Sequence, residues 1–155
     1  LIEKTGLEFE KAFGRRLGLV DEYMLDDAEF VFVTSGTPGF TARVAVDELR
    51  KQGVKAGNLR IRVFRPFPFE AVRRALGKAA RVAVVDRNAS YGHHGIFYQE
   101  VKSALYGTAA APTVHGYITG LGGRDITTGH FKEIAAHALA HDRAEAEIVW
   151  IGVKK

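Results

Sequence analysis

A repeating alternation of short apolar runs and amphipathic segments is the feature that most constrains the fold of this chain. Four runs have strand composition: Phe30–Val33, 59–63, Val82–Val85 and Thr113–Ile118. Each is followed by a loop containing glycine or proline, and then by a segment whose apolar residues recur at helical spacing. Short crossovers between consecutive strands imply an α/β fold, with a mostly parallel open sheet and helices on both faces.

Composition narrows the class of protein further. The 155 residues are enough for one domain with a real core, and no apolar run approaches the roughly 20 residues of a membrane span. The net charge of +4 is scattered along the sequence, which argues against nucleic acid as a partner. Because cysteine is absent, this chain has no thiolate for an iron–sulfur cluster and no disulfide, a composition that suits a cytoplasmic protein.

The segment ahead of the first apolar run reads as a helix followed by a connector. Phe9 and Phe13 lie one helical turn apart among charged residues, which predicts an amphipathic N-terminal helix over about 3–16. A glycine and several scattered acidic residues follow without a clear period. They predict an irregular connector over 17–27.

These patterns divide the chain into three parts. We expect a helix and connector over 1–21, the α/β domain over 22–151 and a tail over 152–155. The run 148–151 has strand composition, but its place in the sheet is left open by the pattern alone. Leu1 is not an initiator methionine and no signal pattern follows it, so we expect the chain to be cut from a longer polypeptide.

Two local predictions concern the elements around the first two apolar runs. Thr37 is expected to cap the helix after the first run, with Pro38 in its first turn and Gly53 as its stop. In the second run, Leu59 and Ile61 alternate with arginines. This period of two is typical of a strand with one wetter face, near the edge of a sheet.

The loop Asp86–Gly95 is the first place to look for a ligand or a partner, because it follows the carboxyl end of a buried strand. Asp86 and Arg87 could serve as a general acid and an anion clamp. A carboxylate that caps nearby amides beside an arginine is the more common arrangement. His93 and His94 are adjacent, so their rings diverge and do not easily chelate one ion, but either could be a contact residue.

Two glycine-containing turns invite a phosphate-binding interpretation. In Gly120-Leu121-Gly122-Gly123, glycines could let backbone amides approach an anion. Asp125 stands where a dinucleotide fingerprint needs a third small residue, and its carboxylate would repel a pyrophosphate, so we favour a tight turn. The turn Thr34–Thr37 lacks the lysine of a P-loop, and helix capping is the favoured interpretation there.

Three histidines fall within a narrow arc of the last predicted helix. Imidazoles one turn apart can share a metal ion, and His130, His137 and His141 have such spacing. Since no HExxH pattern and no acidic residue at the expected spacing accompanies them, we favour a partly solvated histidine face. The sequence also shows no nucleophile elbow and no paired-carboxylate motif, so an independent enzyme is not expected.

Taken together and in order, five motifs resemble one family, the second domain of the alpha part of pyruvate:ferredoxin oxidoreductase and related 2-oxoacid oxidoreductases. The motifs are Val31–Gly36, Arg62–Pro68, Val84–Arg87, Ser90–Gly95 and Gly120–Asp125. The resemblance covers roughly residues 22–150 and implies a transketolase C-terminal-like, Rossmann-like three-layer domain.

The resemblance implies chemistry that lies outside this chain. Such assemblies decarboxylate a 2-oxoacid such as pyruvate on thiamine diphosphate, pass electrons through iron–sulfur clusters to ferredoxin or another electron acceptor, and yield an acyl-coenzyme A. The cofactor lies between a pyrimidine-binding domain, expected before Leu1, and a domain that binds the pyrophosphate and magnesium. The chain contains no Gly-Asp-Gly-type metal motif, so no catalytic, cofactor-binding or metal-binding residue carries over.

The resemblance instead implies a structural role, with the loops in contact with other subunits or domains of the oxidoreductase. The expected contact residues are Arg87, Tyr91, Gly92, His93, His94, Gly122, Gly123 and Arg124. One alternative is a free-standing α/β module that binds a nucleotide or other anion at its glycine turns. Another is the equivalent domain of a transketolase or a 2-oxoacid dehydrogenase beta chain. The motifs Phe64–Pro68 and Gly120–Asp125 favour the ferredoxin-linked group.

Overall fold

The computed structural model describes residues 1–90, 92–108 and 112–153, which form one six-stranded sheet and five α-helices. The strands are β1 Val20–Tyr23, β2 Phe30–Ser35, β3 Ala56–Ile61, β4 Arg81–Asp86, β5 Thr113–Ile118 and β6 Val149–Trp150. The helices are α1 Ile2–Phe13, α2 Pro38–Lys51, α3 Phe69–Leu76, α4 Ile96–Leu105 and α5 Thr128–Ala140, and a 3₁₀ turn covers Leu121–Gly123.

The strands lie side by side in the order β1-β3-β2-β4-β5-β6. β1 runs antiparallel to β3, whereas every other described pair is parallel. The predicted α/β class with a mostly parallel open sheet is therefore confirmed. Parallel pairing also brings the carboxyl ends of β2, β4 and β5 to one edge of the sheet, where their loops meet.

Helices cover both faces of the sheet and create two apolar layers. On one face, Val72 of α3 and Val101 of α4 are fully buried with the strand residues beneath them. On the other face, Phe131 of α5 packs edge-to-face on Phe32 of β2, with ring centroids 5.2 Å apart. Val82–Val85 is buried throughout, as its composition predicted. Each such side chain contributes about 1.5–3 kcal/mol to stability.

The predicted irregular connector over 17–27 is wrong in part, because it contains β1. This strand has only four residues and two are acidic, so it lacks an apolar run. Its charge is neutralised by distant residues: the Asp21 carboxylate lies 2.7 Å from Arg43 Nη2 and 2.8 Å from Arg60 Nη2. β1 extends across the predicted division after residue 21.

The strand predicted near the edge of the sheet lies second from it, beside the edge strand β1. β3 covers 56–61 and pairs with β1 on one side and β2 on the other. The arginine in its alternating pattern, Arg60, is accommodated because its guanidinium lies over the Phe40 ring at 4.3 Å and pairs with Asp21. Arg60 therefore lies in this strand as a paired charge.

The two ends of α2 differ in how well the sequence predicted them. Pro38 begins the helix and Gly53, with φ +84°, follows its end, both as expected. Thr37 precedes the helix but makes no capping hydrogen bond through its side chain. Its own backbone is already helical, with φ −64° and ψ −37°, whereas a capping side chain needs the extended region.

The two ends of the described chain complete the fold. The segment whose place was left open forms β6, which pairs parallel with β5. The predicted N-terminal helix is present as α1, but none of its residues is buried, and Phe13 is 70% exposed. Among the described helices, none is both long enough and apolar enough to cross a membrane.

Candidate functional site

The loops after β2, β4 and β5 surround a small cleft at the carboxyl edge of the sheet. Its volume is about 190 Å³. It is lined by Thr37, Pro38, Thr41, Arg87, Gly123, Arg124, Asp125 and Ile126. Three of the residues expected as contacts, Arg87, Gly123 and Arg124, thus come together although more than 30 residues separate the first from the others. We call this surface the arginine cleft.

Asp86, the residue before Arg87, is buried and stabilises the fold. It is 1% exposed. Its Oδ1 accepts a hydrogen bond from the Phe97 amide and its Oδ2 accepts one from the Tyr98 amide, both at 3.0 Å. These amides begin α4, where a carboxylate also meets the positive end of the helix dipole. The favoured interpretation, a carboxylate capping nearby amides, is confirmed.

Two further residues stabilise this loop, and neither role was predicted from the sequence. Asn88 donates from Nδ2 to Asp86 Oδ1 at 3.3 Å, and its Oδ1 accepts from the Ile96 amide at 3.0 Å. Gly95 lies so close that a Cβ added there would overlap the Asp86 carboxyl group. An Asx residue soon after a strand, followed by a glycine just before a helix, is the signal that could have found them.

The protonation of Asp86 reflects its burial. Desolvation raises the pKa of the Asp86 carboxyl from its ordinary 3.8 to about 6, against the hydrogen bonds from Phe97, Tyr98 and Asn88, which lower it. A pKa near 6 is one that a general acid could use. Asp86 does not line the arginine cleft, however, and its oxygens are engaged with α4.

The two histidines of the same loop lie at a separate, open surface depression, whose volume is about 520 Å³. Together with Gly92 they line it opposite the C-terminal segment 146–150. The rings of His93 and His94 are 6.2 Å apart, and the His94 ring packs on Tyr98 with centroids 4.6 Å apart. Burial is the main cause that lowers the pKa of His94. We call this surface the histidine face.

The remaining two expected contact residues, Gly122 and Tyr91, are not assigned to either surface. Gly122 is absent from the linings of the arginine cleft and the histidine face. Tyr91 lies outside the described residues. The expected contact residues are therefore divided between the arginine cleft and the histidine face.

A larger cleft of about 980 Å³ was not predicted from the sequence. It is lined mainly by residues 18–22 and 67–71, with Arg62 and Arg74 at its side. These segments are distant in the chain and meet only because β1 pairs with β3 beside α3. Phe67 and Pro68 belong to the motif Arg62–Pro68, but that motif does not indicate a cleft, which depends on the pairing of β1.

The glycine turn after β5 is a tight turn. Gly120, Gly122 and Gly123 have φ of +72°, +67° and +79°, the left-handed region that glycine tolerates. α5 begins only at Thr128, so the glycine amides are not at the helix start where a phosphate would be bound. The favoured tight-turn interpretation is in accord with this geometry.

The histidines of α5 have different surroundings from one another. His130 forms a reciprocal cap with Thr127: the His130 amide donates to Thr127 Oγ1, and the Thr127 amide donates to His130 Nδ1, each at 3.3 Å. His137 and His141 lie together near Glu145. The expectation that no acidic residue has a suitable spacing is wrong, because Glu145 follows His141 by four residues and lies near both rings.

The family of the chain is shown by comparison with known proteins. Residues 28–131 match the family described as pyruvate:ferredoxin oxidoreductase core domain II. The pyruvate synthase subunit PorA of Methanothermobacter thermautotrophicus is 41% identical over 155 residues, which is all of this chain and 39% of that protein. The ketoisovalerate oxidoreductase subunit VorA of Pyrococcus abyssi is 39% identical over 159 residues, covering all of this chain and 40% of that protein.

Solved structures agree with the fold. A split-gene transketolase, described as an inactive beta4 tetramer, has a TM-score of 0.63 at 15% identity, over 83% of this chain and 44% of that one. The 2-oxoglutarate:ferredoxin oxidoreductase from Magnetococcus marinus has a TM-score of 0.58 at 15% identity, over 85% of this chain and 21% of that one. These likenesses confirm the transketolase-like domain predicted from the motifs.

The family match includes β2, β4, β5 and the loop that Asp86 holds, and so contains every residue that lines the arginine cleft. The chain spans about two fifths of the length of the curated relatives it matches, at 39–40%. It belongs to the family of pyruvate:ferredoxin oxidoreductase core domain II.

Proposed function

We propose that this chain is a non-catalytic structural and assembly domain of a 2-oxoacid:ferredoxin oxidoreductase. The proposal rests chiefly on the hydrogen bonds that the Asp86 carboxylate makes. The one carboxyl group buried at the carboxyl edge of the sheet is engaged with the amides of α4, while the charged groups of the arginine cleft remain available to a neighbouring protein. The names of the relatives, which are subunits, support an assembly role.

The surfaces of the domain support contact with neighbouring protein. Arg87 is exposed beside Arg124 at the arginine cleft, and an arginine pair there suits carboxylates on another subunit or domain. The apolar residues of α1, such as Leu7 at 51% exposure and Phe13, are also left uncovered by this domain. Such a helix face is typical of a surface that packs against more protein.

The whole enzyme would use thiamine diphosphate, magnesium, iron–sulfur clusters and coenzyme A, with ferredoxin or another acceptor taking the electrons, in the cytoplasm. The residues of the arginine cleft do not fit thiamine diphosphate. The volume of the cleft is about 190 Å³, whereas sites for drug-sized ligands have volumes of about 300–1,000 Å³. Asp125 is the one carboxylate in the lining of the cleft. The arginine cleft is therefore not the cofactor site. We assign the cofactor and the chemistry to other parts of the enzyme, and titration of the whole chain also tests the larger cleft of about 980 Å³.

Titration of the 155-residue chain with thiamine diphosphate and magnesium tests the non-catalytic part of the proposal. We expect no heat of binding at cofactor concentrations up to the millimolar range, because the arginine cleft is small and Asp86 is engaged. Isothermal titration calorimetry is the measurement, with a folded transketolase as the positive control. Binding at micromolar cofactor would contradict the proposal.

A chimera tests the assembly part. The matching region of Thermotoga maritima PorA, 40% identical over 148 residues, is replaced by this chain. We expect the chimera to enter the enzyme complex and retain pyruvate-dependent ferredoxin reduction. Reversal of both charges at the cleft, Arg87→Glu with Arg124→Glu, should weaken assembly at least about tenfold, because it sets like charges against the partner's carboxylates. Size-exclusion chromatography of the complex measures it.

The matched control is Arg143→Glu, which reverses an exposed arginine outside both the arginine cleft and the histidine face. It should leave assembly unchanged. A doubly reversed chimera that assembles as well as this control would contradict the role of the arginine cleft. A folded, unreversed chimera that stays out of the complex would contradict the assembly role itself.

A further inference from the structure

Two histidines and a glutamate converge where α5 ends. His137 and His141 are four residues apart, and their rings lie on one side of the helix with centroids 4.3 Å apart. Glu145 belongs to the loop that follows. Its Oε1 lies 3.9 Å from His137 Nε2 and 3.8 Å from His141 Nε2. One candidate ligand atom from each residue lies within 4.8 Å of the other two.

The second nitrogen of each ring is already hydrogen-bonded. His141 Nδ1 lies 2.7 Å from the carbonyl oxygen of His137, and because a carbonyl only accepts, Nδ1 must be the donor. In the neutral ring this leaves a free lone pair on Nε2. His137 Nδ1 lies 2.9 Å from the hydroxyl oxygen of Tyr117, a fully buried residue of β5.

This arrangement is the one that metal-binding histidines adopt. Their second nitrogen is held by a carbonyl, a carboxylate or another oxygen, which fixes the tautomer and the orientation of the ring. Here both rings are held through Nδ1, and both Nε2 atoms lie on the side of Glu145. The carbonyl thus holds His141 with a free lone pair on Nε2, and His137 presents Nε2 in the same way in the tautomer whose Nδ1 donates to Tyr117.

The distances are close to those that a zinc ion needs. Bonds of about 2.0–2.2 Å to nitrogen and oxygen in a tetrahedron place neighbouring ligand atoms about 3.3–3.5 Å apart. The distances of 3.8 and 3.9 Å to Glu145 Oε1 exceed this by about half an ångström. Glu145 has a half-exposed side chain in a loop, so a small rotation brings its oxygen into range.

We propose that His137, His141 and Glu145 form a binding site for Zn²⁺ or a similar divalent transition metal, with water as the fourth ligand. Imidazole nitrogens select this class of metal over Mg²⁺ and Ca²⁺, which prefer oxygen ligands. The metal ties the loop before β6 to the end of α5. The site is independent of the arginine cleft and of the proposed assembly role, since neither His137, His141 nor Glu145 lines that cleft.

Metal titration of the 155-residue chain tests the site. After treatment with a chelator and its removal, Zn²⁺ alone is titrated at pH 7.5 by calorimetry, and Co²⁺ alone is titrated by visible absorption, which reports tetrahedral coordination. We expect one Zn²⁺ per chain and an intense Co²⁺ spectrum. His141→Ala and Glu145→Gln should each weaken Zn²⁺ binding at least about tenfold.

Glu147→Gln is the matched control, because it neutralises an exposed glutamate only two residues away. It should leave the Zn²⁺ affinity and the Co²⁺ spectrum unchanged. Both altered ligand residues have substantially exposed side chains, so the variants should fold, and circular dichroism checks that they do. The proposal is overturned if the chain takes up no Zn²⁺, if His141→Ala and Glu145→Gln bind it like the parent, or if Glu147→Gln weakens binding equally.

Discussion

Replacement of Gly95 by alanine should disrupt the start of α4 and lower the free energy of unfolding by about 3 kcal/mol or more. The backbone is not the cause, because Gly95 has φ −63°, a value that alanine adopts without strain. The cause is the Asp86 carboxyl group, which occupies the space that a Cβ would need. The carboxyl must move, and the buried Phe97 and Tyr98 amides then lose their acceptor.

Urea denaturation of the 155-residue chain measures this effect, and Gly129→Ala is its matched control. Gly129 lies in the first turn of α5, and a Cβ there meets only Thr127 Oγ1 at an ordinary 3.4 Å. Alanine is the better helix former, so Gly129→Ala should be neutral or slightly stabilising. A loss at Gly95→Ala no larger than at Gly129→Ala would contradict the steric argument.

A double variant separates the steric cause from a general intolerance of alanine at position 95. In Asp86→Ala the overlapping carboxyl group is gone, so the additional loss from Gly95→Ala should become small. The two changes would then be strongly non-additive, as expected for residues in contact. Additive losses would show that Gly95 is required for some reason other than Asp86.

Asp86→Asn should change how stability depends on pH. Because the pKa of Asp86 is raised to about 6 in the folded chain from an ordinary 3.8, the folded state holds the proton more tightly. Stability from this group is fully present below pH 4 and is lost as the pH rises through 6. The difference between 3.8 and 6 corresponds to about 3 kcal/mol.

Asparagine does not titrate, so the variant lacks this loss. Relative to the parent, Asp86→Asn should therefore gain up to about 3 kcal/mol between pH 4 and pH 8. Urea denaturation of both proteins at each pH measures the difference, in which the other titrating groups cancel. A constant difference, or one that moves in favour of the parent as the pH rises, would mean that the hydrogen bonds from α4 outweigh burial.

How far the sequence could predict the fold depended on how local the signal was. Three of the four apolar runs lie within the observed strands, and the run 59–63 overlaps β3 only at 59–61. The runs and the helix stripes between them were predictable because each records burial of its own face. β1 was missed because it is short and acidic and is stable only when Arg43 and Arg60 neutralise Asp21. The second run was correctly placed near an edge of the sheet, but the edge strand β1 beside it was not predicted.

The candidate site was predicted to a similar extent. Asp86 was expected to cap nearby amides, and it does so, because a strand end and the next helix start are neighbours in any parallel βαβ unit. The roles of Asn88 and Gly95 were not predicted, since they depend on how the loop folds back onto that carboxyl group. Glu145 was overlooked beside His137 and His141 because a loop, not the helix period, brings it there.

By itself the sequence determined the α/β class, the family and the alternation of the central strands and helices, because the periods of two and 3.6 and the ordered motifs are properties of neighbouring residues. Only the tertiary structure decided which strands form the edges, which loops share the arginine cleft and which carboxylate meets the histidines of α5. Those outcomes depend on contacts between residues far apart in the chain. Local patterns are compatible with several arrangements of the strands and loops, and charge neutralisation and close packing stabilise one of them.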